Sequence, residues 1–312
     1  VLLSACGIFG ADNSYSADFQ APTLAAKADI PNVSTIETLT SLTIGAGGLS
    51  LDEDGFIYAS HFGQGIGIAI DGDRVLKIDP VTGRSEIFAS GFNGATGSDF
   101  DSQGNFYQAS FSNHTLYKIA VDGTMTTVAT KSNGLKSPVG VVIDKNDNVY
   151  VNNCGGGNIT KISSSGISEI YAQSTLLNCA NGLTIDDDSG ILYVANFSDS
   201  NVLKVTTNGS VSLLATLSGS GNGHLTLYKG SLYVAQFSIN KISKVSLTGK
   251  IVEFIGNGND VNEDGNLLAA SVRNPNDLVF DAQGNLFIFA SANEAANGAS
   301  APSIIRKVTN TL

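Results

Sequence analysis

The stretch Val141-Val-Ile-Asp-Lys-Asn-Asp-Asn-Val-Tyr150 decides the fold of this 312-residue chain. It reads as a short apolar strand, a polar turn and a second strand that ends on an aromatic residue. Lys161 follows 11 residues later, inside a third apolar strand. Similar stretches end at five further aromatic residues, which are Tyr58, Tyr107, Tyr193, Tyr233 and Phe287. The chain is therefore built from a repeat that occurs six times.

The spacing of the repeat predicts a propeller. The six aromatic residues lie 49, 43, 43, 40 and 54 residues apart, which is the length of one four-stranded blade. In the four middle repeats a Lys lies 11 residues after the aromatic residue, whereas in the first and last it lies 19 and 20 residues after. Repeats 1 and 6 therefore carry insertions, at residues 63–74 and 293–301. The repeated Lys residues are expected on solvent-facing positions.

The two ends of the repeat region predict how the ring closes. The last repeat ends after its third strand, Ser303-Ile-Ile-Arg-Lys-Val308, whereas Ser34-Thr-Ile-Glu-Thr-Leu-Thr-Ser-Leu42 has the alternation of a fourth strand and precedes repeat 1. We therefore expect an all-β, six-bladed β-propeller over residues 34–312, in which the N-terminal strand closes the last blade. The high Gly content, 35 residues against 6 Pro, suits many strands joined by tight turns. The net charge of -11 disfavours nucleic acid as a partner.

The first residues indicate a lipid anchor. Residues 1–6 resemble the truncated end of a bacterial lipoprotein signal, with the lipobox Leu3-Ser-Ala-Cys6, and residues 7–33 read as a tether. Lipidation of Cys6 would hold the protein on a membrane of the bacterial cell envelope. Because Gly7 is not the Asp that retains many lipoproteins at the inner membrane, the outer membrane is favoured. The alternative is a Cys that occurs there by chance.

The repeats resemble NHL-repeat propellers and the related senescence marker protein/gluconolactonase family. Gly265-Asn-Leu-Leu-Ala-Ala-Ser-Val-Arg-Asn-Pro-Asn-Asp-Leu-Val-Phe-Asp281 is similar to an NHL inter-blade segment, and Ala180-Asn-Gly-Leu-Thr-Ile-Asp186 to a gluconolactonase blade start. The resemblance covers residues 34–308. It implies the propeller architecture, whereas activity is open because this fold carries hydrolases, lyases, synthases and binding modules.

Two rings of residues are predicted at one mouth of the channel. The loops before the innermost strands and after the second strands share one face in this topology. The first-strand ring comprises Gly47, Thr96, Val139, Asn181, Asn222 and Asn276, with His224 and Asp277 beside it. The second-strand ring comprises His61, Ser110, Asn153, Asn196, Gln236 and Ala290. Converging polar side chains are typical of a small-ligand site. The alternative is that these residues serve turns and water bridges.

The resemblance also implies a metal site, whose binding residues can be compared with those of this chain. A gluconolactonase-like site holds a divalent cation, Ca²⁺ or Mg²⁺, with a Glu, an Asn and an Asp from three blades. Asn181 matches the Asn, whereas Asn222 stands in place of the Asp and Gly47 in place of the Glu. Two neutral amides are poor ligands for a hard cation, so Asn181 and Asn222 are weak metal candidates. We therefore expect a membrane-anchored binding or scaffolding protein for a small neutral ligand or a protein partner, with an altered lactone or ester hydrolase as the alternative.

Two further sequence features have competing interpretations. Cys154 and Cys179 fall on the same face between neighbouring blades, and an exported protein meets an oxidising compartment, so a disulfide is expected, with two buried thiols as the alternative. Asp260-Val-Asn-Glu-Asp264-Gly265 matches the start of a calcium loop, but its twelfth position is Ser271 instead of Glu. An NHL inter-blade segment is the preferred interpretation of that stretch.

Overall fold

The computed structural model describes residues 26–27, 34–65, 69–296 and 300–309. Its first strands are β1 (Ala26–Lys27) and β2 (Thr35–Leu42). The predicted signal with Cys6 lies outside the described residues. So does the predicted tether, apart from β1. None of the described helices is long and apolar enough to cross a membrane.

Each of blades 1 to 3 is an antiparallel sheet of four consecutive strands. Blade 1 contains β3 (Ala46–Leu51), β4 (Ile57–His61), β5 (Arg74–Ile78) and β6 (Ser85–Ser90). Blade 2 contains β7 (Ala95–Phe100), β8 (Phe106–Ser110), β9 (Thr115–Ile119) and β10 (Met125–Ala129). After the 3-10 helix η1 (Lys131–Asn133), blade 3 contains β11 (Pro138–Ile143), β12 (Val149–Asn153), β13 (Asn158–Ile162) and β14 (Ser168–Gln173).

Blades 4 to 6 follow the same order, with additions at their edges. Blade 4 contains β15 (Ala180–Asp186), β16 (Ile191–Asn196), β17 (Asn201–Val205) and β18 (Val211–Thr216). Blade 5 contains β19 (Asn222–Tyr228), β20 (Ser231–Gln236), the 3-10 helix η2 (Phe237–Ile239), β21 (Lys241–Ser246) and β22 (Ile251–Ile255), with β1 added in parallel to β22. Blade 6 contains β24 (Pro275–Phe280), β25 (Leu286–Ser291) and β26 (Ser303–Val308), with β2 and then β23 (Gly265–Asn266) outside β26.

The N-terminal strand closes the ring, as the sequence predicts. β2 pairs antiparallel with β26 in the register Glu37 to Lys307, so blade 6 is built from both ends of the repeat region. The innermost strands contact one another in ring order from β3 to β24, and β24 returns to β3. The predicted all-β six-bladed propeller is confirmed. Closure leaves only short strand edges on the outside of each blade.

The repeated aromatic residue and the repeated Lys are cross-strand partners. Tyr107 pairs with Lys118 across β8 and β9, and the Lys118 ammonium lies 5.2 Å from the centre of the Tyr107 ring. The same pairing recurs between Tyr58 and Lys77 in blade 1. These Lys side chains are half-buried, because their stems cover the aromatic rings while the ammonium groups reach acidic turn residues such as Asp101. In five of the six blades, all except blade 4, the repeated Lys therefore forms a cation–π pair with the repeated aromatic residue.

Candidate functional site

A cavity of about 260 Å³ lies at the end of the channel where the first strands begin and the second strands end. Four phenylalanines line it, which we call the aromatic set: Phe62, Phe111, Phe197 and Phe237. Each one directly follows the second strand of its blade, in blades 1, 2, 4 and 5, and each is half-buried. Neighbouring rings contact one another, with centroids 5.7 Å apart between Phe62 and Phe111.

Blade 3 has a cysteine where those four blades have phenylalanine. Cys154 follows β12, and it forms a disulfide with Cys179 in the loop before β15. Both cysteines line the cavity. The predicted disulfide is confirmed, and it joins blades 3 and 4 at the wall of the cavity. The aromatic set and the disulfide together give the cavity a largely apolar wall.

Apart from Ser300, the polar residues of the cavity come from the first strands. We call Thr96, Asn181, His224 and Asn276 the polar set. The amide nitrogen of Asn181 donates to the carbonyl oxygen of Asn222 at 3.1 Å, and that of Asn276 donates to the carbonyl oxygen of Gly47 at 2.7 Å. Both donors are therefore used to join neighbouring blades. Within the described part of the chain, Oδ1 of neither amide has a hydrogen-bond partner, so these oxygens are free to accept a hydrogen bond from a ligand.

The second-strand ring does not line the cavity. Its side chains bond to the loop that precedes the first strand of the same blade. Nδ1 of His61 accepts the N–H of Gly45 at 3.1 Å, and Oδ1 of Asn153 accepts that of Lys136 at 2.8 Å. Asn196 and Gln236 donate to loop carbonyl oxygens at 2.7 and 2.8 Å. Burial lowers the pKa of His61, which keeps its imidazole neutral and able to accept. These four residues hold the loops beside the mouth.

In two places the predicted rings differ by one residue from the positions that the structure brings to the cavity. In blade 5, Asn222 pairs with Gln236 as Ala46 pairs with His61, so Asn222 is the equivalent of Ala46 and stands one position before the equivalent of Gly47. The Asn222 side chain is fully buried and does not line the cavity. At the ends of the second strands, the residue that lines the cavity is the one directly after the residue of the predicted second-strand ring. The signal that identifies it is the phenylalanine that recurs there in four of the six repeats.

The residues around the cavity do not fit a divalent cation. None of the lining residues among those described carries a carboxylate. Asp277 lies beside the cavity, but its oxygens accept the N–H groups of Leu49 and Leu278, each at 2.7 Å. No group of three His, Cys, Asp or Glu side chains suited to a metal occurs in the described part of the chain. Ca²⁺ and Mg²⁺ prefer several anionic oxygens, which this site does not offer.

The calcium-like stretch after blade 5 is held by arginines. The guanidinium of Arg273 lies 3.1 Å from Oδ1 of Asp260, and that of Arg306 lies 2.8 Å from Oδ1 of Asp264. Arg306 is fully buried. A cation bound by these carboxylates would have to displace two positive groups, one of which is in the core. This geometry supports the interpretation of the stretch as an inter-blade segment.

The two insertions meet beside the cavity. The backbone N–H of Ser300, in the blade 6 insertion, donates to the carbonyl oxygen of Gln64 in the blade 1 insertion at 2.8 Å. Ser300 also accepts the N–H of Ala46 and lines the cavity. Residues 66–68 and 297–299, inside these insertions, lie outside the described residues. The described parts form one wall across the closure between blades 6 and 1.

Comparison with known proteins shows the fold. No family model and no curated protein matches the chain. Among solved structures, an auxiliary nutrient binding protein from Bacteroides thetaiotaomicron is 13% identical with a TM-score of 0.68 over 88% of this chain and 76% of that chain. A gluconolactonase from Xanthomonas campestris is 13% identical with a TM-score of 0.68 over 93% and 97%. A virginiamycin B lyase from Staphylococcus aureus is 14% identical with a TM-score of 0.61 over 88% and 98%.

At such identities the likeness concerns architecture alone. The chain is a six-bladed β-propeller, and the resemblance in fold to gluconolactonase-like propellers is confirmed. Proteins that share this fold include both a binding protein and enzymes, so the function has to be argued from the cavity itself.

Proposed function

We propose that this protein is a binding protein of the bacterial cell envelope that takes up a small neutral ligand in the cavity at the channel mouth. The observation that carries the proposal is the composition of the wall, in which four phenylalanines and a disulfide face a few amide, hydroxyl and imidazole groups. Small-ligand sites combine an apolar lining with a small number of placed polar atoms in this way. The nutrient-binding neighbour is a precedent for a binding role on the same fold.

The proposed location rests on Cys6. A diacylglycerol on its thiol and an acyl chain on the new amine would anchor the propeller to a membrane, with the outer membrane favoured. The wall formed by the two insertions is the candidate contact for a protein partner, because inserted loops at a mouth are exposed and variable.

The anchor is tested by Cys6→Ser in the full precursor. We expect wild-type protein to sediment with membranes and to leave them only in detergent, whereas the variant is released or is not processed, because the acceptor for the lipid is gone. Membrane fractionation with an acyl label reads both outcomes. Unchanged, labelled membrane attachment of the variant would overturn the anchor.

The binding proposal is tested with N-phenyl-1-naphthylamine, a neutral aromatic probe whose fluorescence rises in apolar surroundings. The chain has no Trp, so the probe signal is not mixed with Trp emission. We expect saturable binding of one probe per protein, weakened about tenfold by Phe62→Ala or Phe197→Ala because each removes a large apolar contact. Leu213→Ala is the matched control, since Leu213 is a large apolar residue outside the cavity and 54% exposed.

The hydrolase alternative makes an opposite prediction. A gluconolactonase-like enzyme would hydrolyse sugar lactones, lose activity in EDTA and depend on Asn181. We expect no such hydrolysis, because the cavity lacks the carboxylates that would hold the cation. Lactone hydrolysis that EDTA abolishes and Asn181→Ala removes would replace the binding proposal with the enzyme. Failure of the probe to bind, without hydrolysis, would refute the cavity as a ligand site for apolar molecules.

A further inference from the structure

One position of the innermost strands changes character between blades. In blades 1 to 4 the third residue of the strand is glycine, at Gly48, Gly97, Gly140 and Gly182. A methyl group on Gly97 would lie 2.5 Å from the carbonyl oxygen of Val139 in the next blade. In blades 5 and 6 the same position is His224 and Asp277, as the pairing of the following residues shows. This position of the innermost strand therefore carries an ionisable side chain in two blades and none in the other four.

His224 and Asp277 form a buried pair. Nδ1 of His224 lies 3.5 Å from Oδ2 of Asp277, and each side chain is 8% exposed. Burial raises the pKa of Asp277, while the imidazole and two backbone N–H groups lower it. Oδ2 of Asp277 also accepts the N–H of Leu49 at 2.7 Å, so the carboxylate is held in place beside the imidazole. His224 also lines the cavity, and Nε2 is the ring nitrogen that is not placed against Asp277.

No other charged group competes with this pair at the mouth. The elements packed against β19 are β15, β16, β20, β24 and η2. Of their other ionisable residues, Asp186 is the last residue of β15, at the end away from the mouth. Tyr193 of β16 pairs with Thr184 farther along β15, and Tyr233 of β20 pairs with Thr226 farther along β19. Asp277 is therefore the charge that acts on His224 from these described elements.

The polar set offers mainly acceptors. The amide nitrogens of Asn181 and Asn276 each donate to a neighbouring blade, and the hydroxyl of Thr96 donates to the carbonyl oxygen of Pro138 at 3.1 Å. What remains for a ligand is mainly acceptors, namely two amide oxygens, the Thr96 hydroxyl oxygen and the imidazole, beside the Ser300 hydroxyl and the second N–H of Asn181. A ligand that suits this cavity brings hydrogen-bond donors of its own, together with an apolar or aromatic body for the aromatic set.

We propose that the cavity selects an aromatic ligand that carries an acidic hydroxyl group, and that this hydroxyl donates its proton to Nε2 of His224. This inference rests on the proposed binding function and names the chemistry of its ligand. As the proton moves, the ligand O–H bond breaks with its electron pair left on oxygen, and an Nε2–H bond forms. Asp277 is a positioning residue, which orients the imidazole through Nδ1 and stabilises the imidazolium that results.

A pair of probes tests the proposal. 4-Nitrophenol and 4-nitroanisole have the same aromatic body, but the second has a methoxy group in place of the hydroxyl. We expect wild-type protein to bind 4-nitrophenol at least about tenfold more tightly than 4-nitroanisole, as a charge-assisted hydrogen bond to one probe alone would give. We also expect the phenolate absorbance band to rise on binding at a pH where the free probe is mostly protonated. Equilibrium dialysis and absorbance titration measure the two effects.

His224→Phe keeps a ring at the site and removes the acceptor. In this variant the affinity ratio of the two probes should fall to about one and the phenolate band should not form, because no base remains beside the ligand. His114→Phe is the matched control, since His114 bonds to the backbone of Ser137 and does not line the cavity. Binding of 4-nitroanisole to either variant shows that its cavity is intact.

The outcomes separate the two proposals. Equal affinity of wild-type protein for both probes, or no phenolate band, would overturn the role of His224 while leaving the binding function in place. Binding of neither probe would overturn the ligand class, and with a negative N-phenyl-1-naphthylamine titration it would overturn the binding function as well. The wild-type comparison does not depend on the folding of any variant.

Discussion

Blades 1 to 4 and blades 5 to 6 join at the channel in different ways. In the first group a glycine lets each innermost strand approach the next so closely that a side chain would meet backbone atoms. In the second group His224 and Asp277 take that position and contact each other. The difference shows that the same position of a repeat can serve packing in some blades and chemistry in others. A symmetric fold can thus hold an asymmetric site.

The largest expected effect is on the glycine side of this comparison. Gly97→Ala places a methyl group 2.5 Å from Val139 O, a backbone atom that cannot move aside cheaply. We expect a loss of about 3 kcal/mol or more in the free energy of unfolding. Urea denaturation measures it. Gly155→Ala is the control, because its nearest neighbours at 3.3 Å include the flexible side chain of Lys136. A Gly97→Ala protein as stable as the control would contradict the close-packing argument.

A slightly smaller effect is expected at the junction of blades 3 and 4, where the disulfide takes the place of an aromatic contact. Cys154 and Cys179 are separated by 25 residues, and opening that loop should cost about 3 kcal/mol in the chain-entropy model. The double variant Cys154→Ser/Cys179→Ser should therefore unfold at lower urea concentration than the oxidised protein. Reduced wild-type protein should match the variant. A variant that is as stable as the oxidised protein would mean that the bond constrains the unfolded chain little.

The smallest expected effect concerns a second carboxylate that joins two blades. Asp99 of blade 2 accepts the N–H of Ile143 in blade 3 at 2.8 Å, as Asp277 accepts that of Leu49, but Asp99 has no imidazole beside it. Burial raises the pKa of Asp99 to about 6, from an ordinary value of 3.8. Because the folded state binds the carboxyl proton of Asp99 more tightly than the unfolded state does, protonation of Asp99 stabilises the fold. This stabilisation is complete below about pH 4 and is lost as the pH rises through 6.

Asp99→Asn should flatten this part of the stability profile. We expect wild-type protein to lose about 2 kcal/mol between pH 4 and 6 through this group, and the variant to lack that decline whatever its absolute stability. Urea midpoints measured across the pH range give the slope. Asp54→Asn, at an exposed turn, is the control and should follow wild type. A variant with the wild-type slope would show that Asp99 does not titrate in this range.

The site was only partly predictable, and the reason is local backbone geometry. Asn181, His224 and Asn276 line the cavity, because they lie at the start of strands whose position the repeat determines. The second-strand ring was placed there too, yet those side chains turn toward the preceding loops. Every innermost strand contains a register shift near its start, for example between Ala46 and Leu49. Such bulges change the direction in which side chains point, and no pattern in a single sequence predicts where they occur.

The sequence by itself determined the number of blades and the closure by the N-terminal strand, and it made the disulfide between the two cysteines an expectation. These features follow from spacing and alternation, which are properties of the chain read in order. Tertiary structure alone decided which side chains meet at the channel. Phe62 and Phe111, or His224 and Asp277, are some 50 residues apart in sequence, and only the rotation from one blade to the next brings them into contact. Contacts between repeats depend on that rotation and on the bulges, and neither is specified by the periodicity within a repeat.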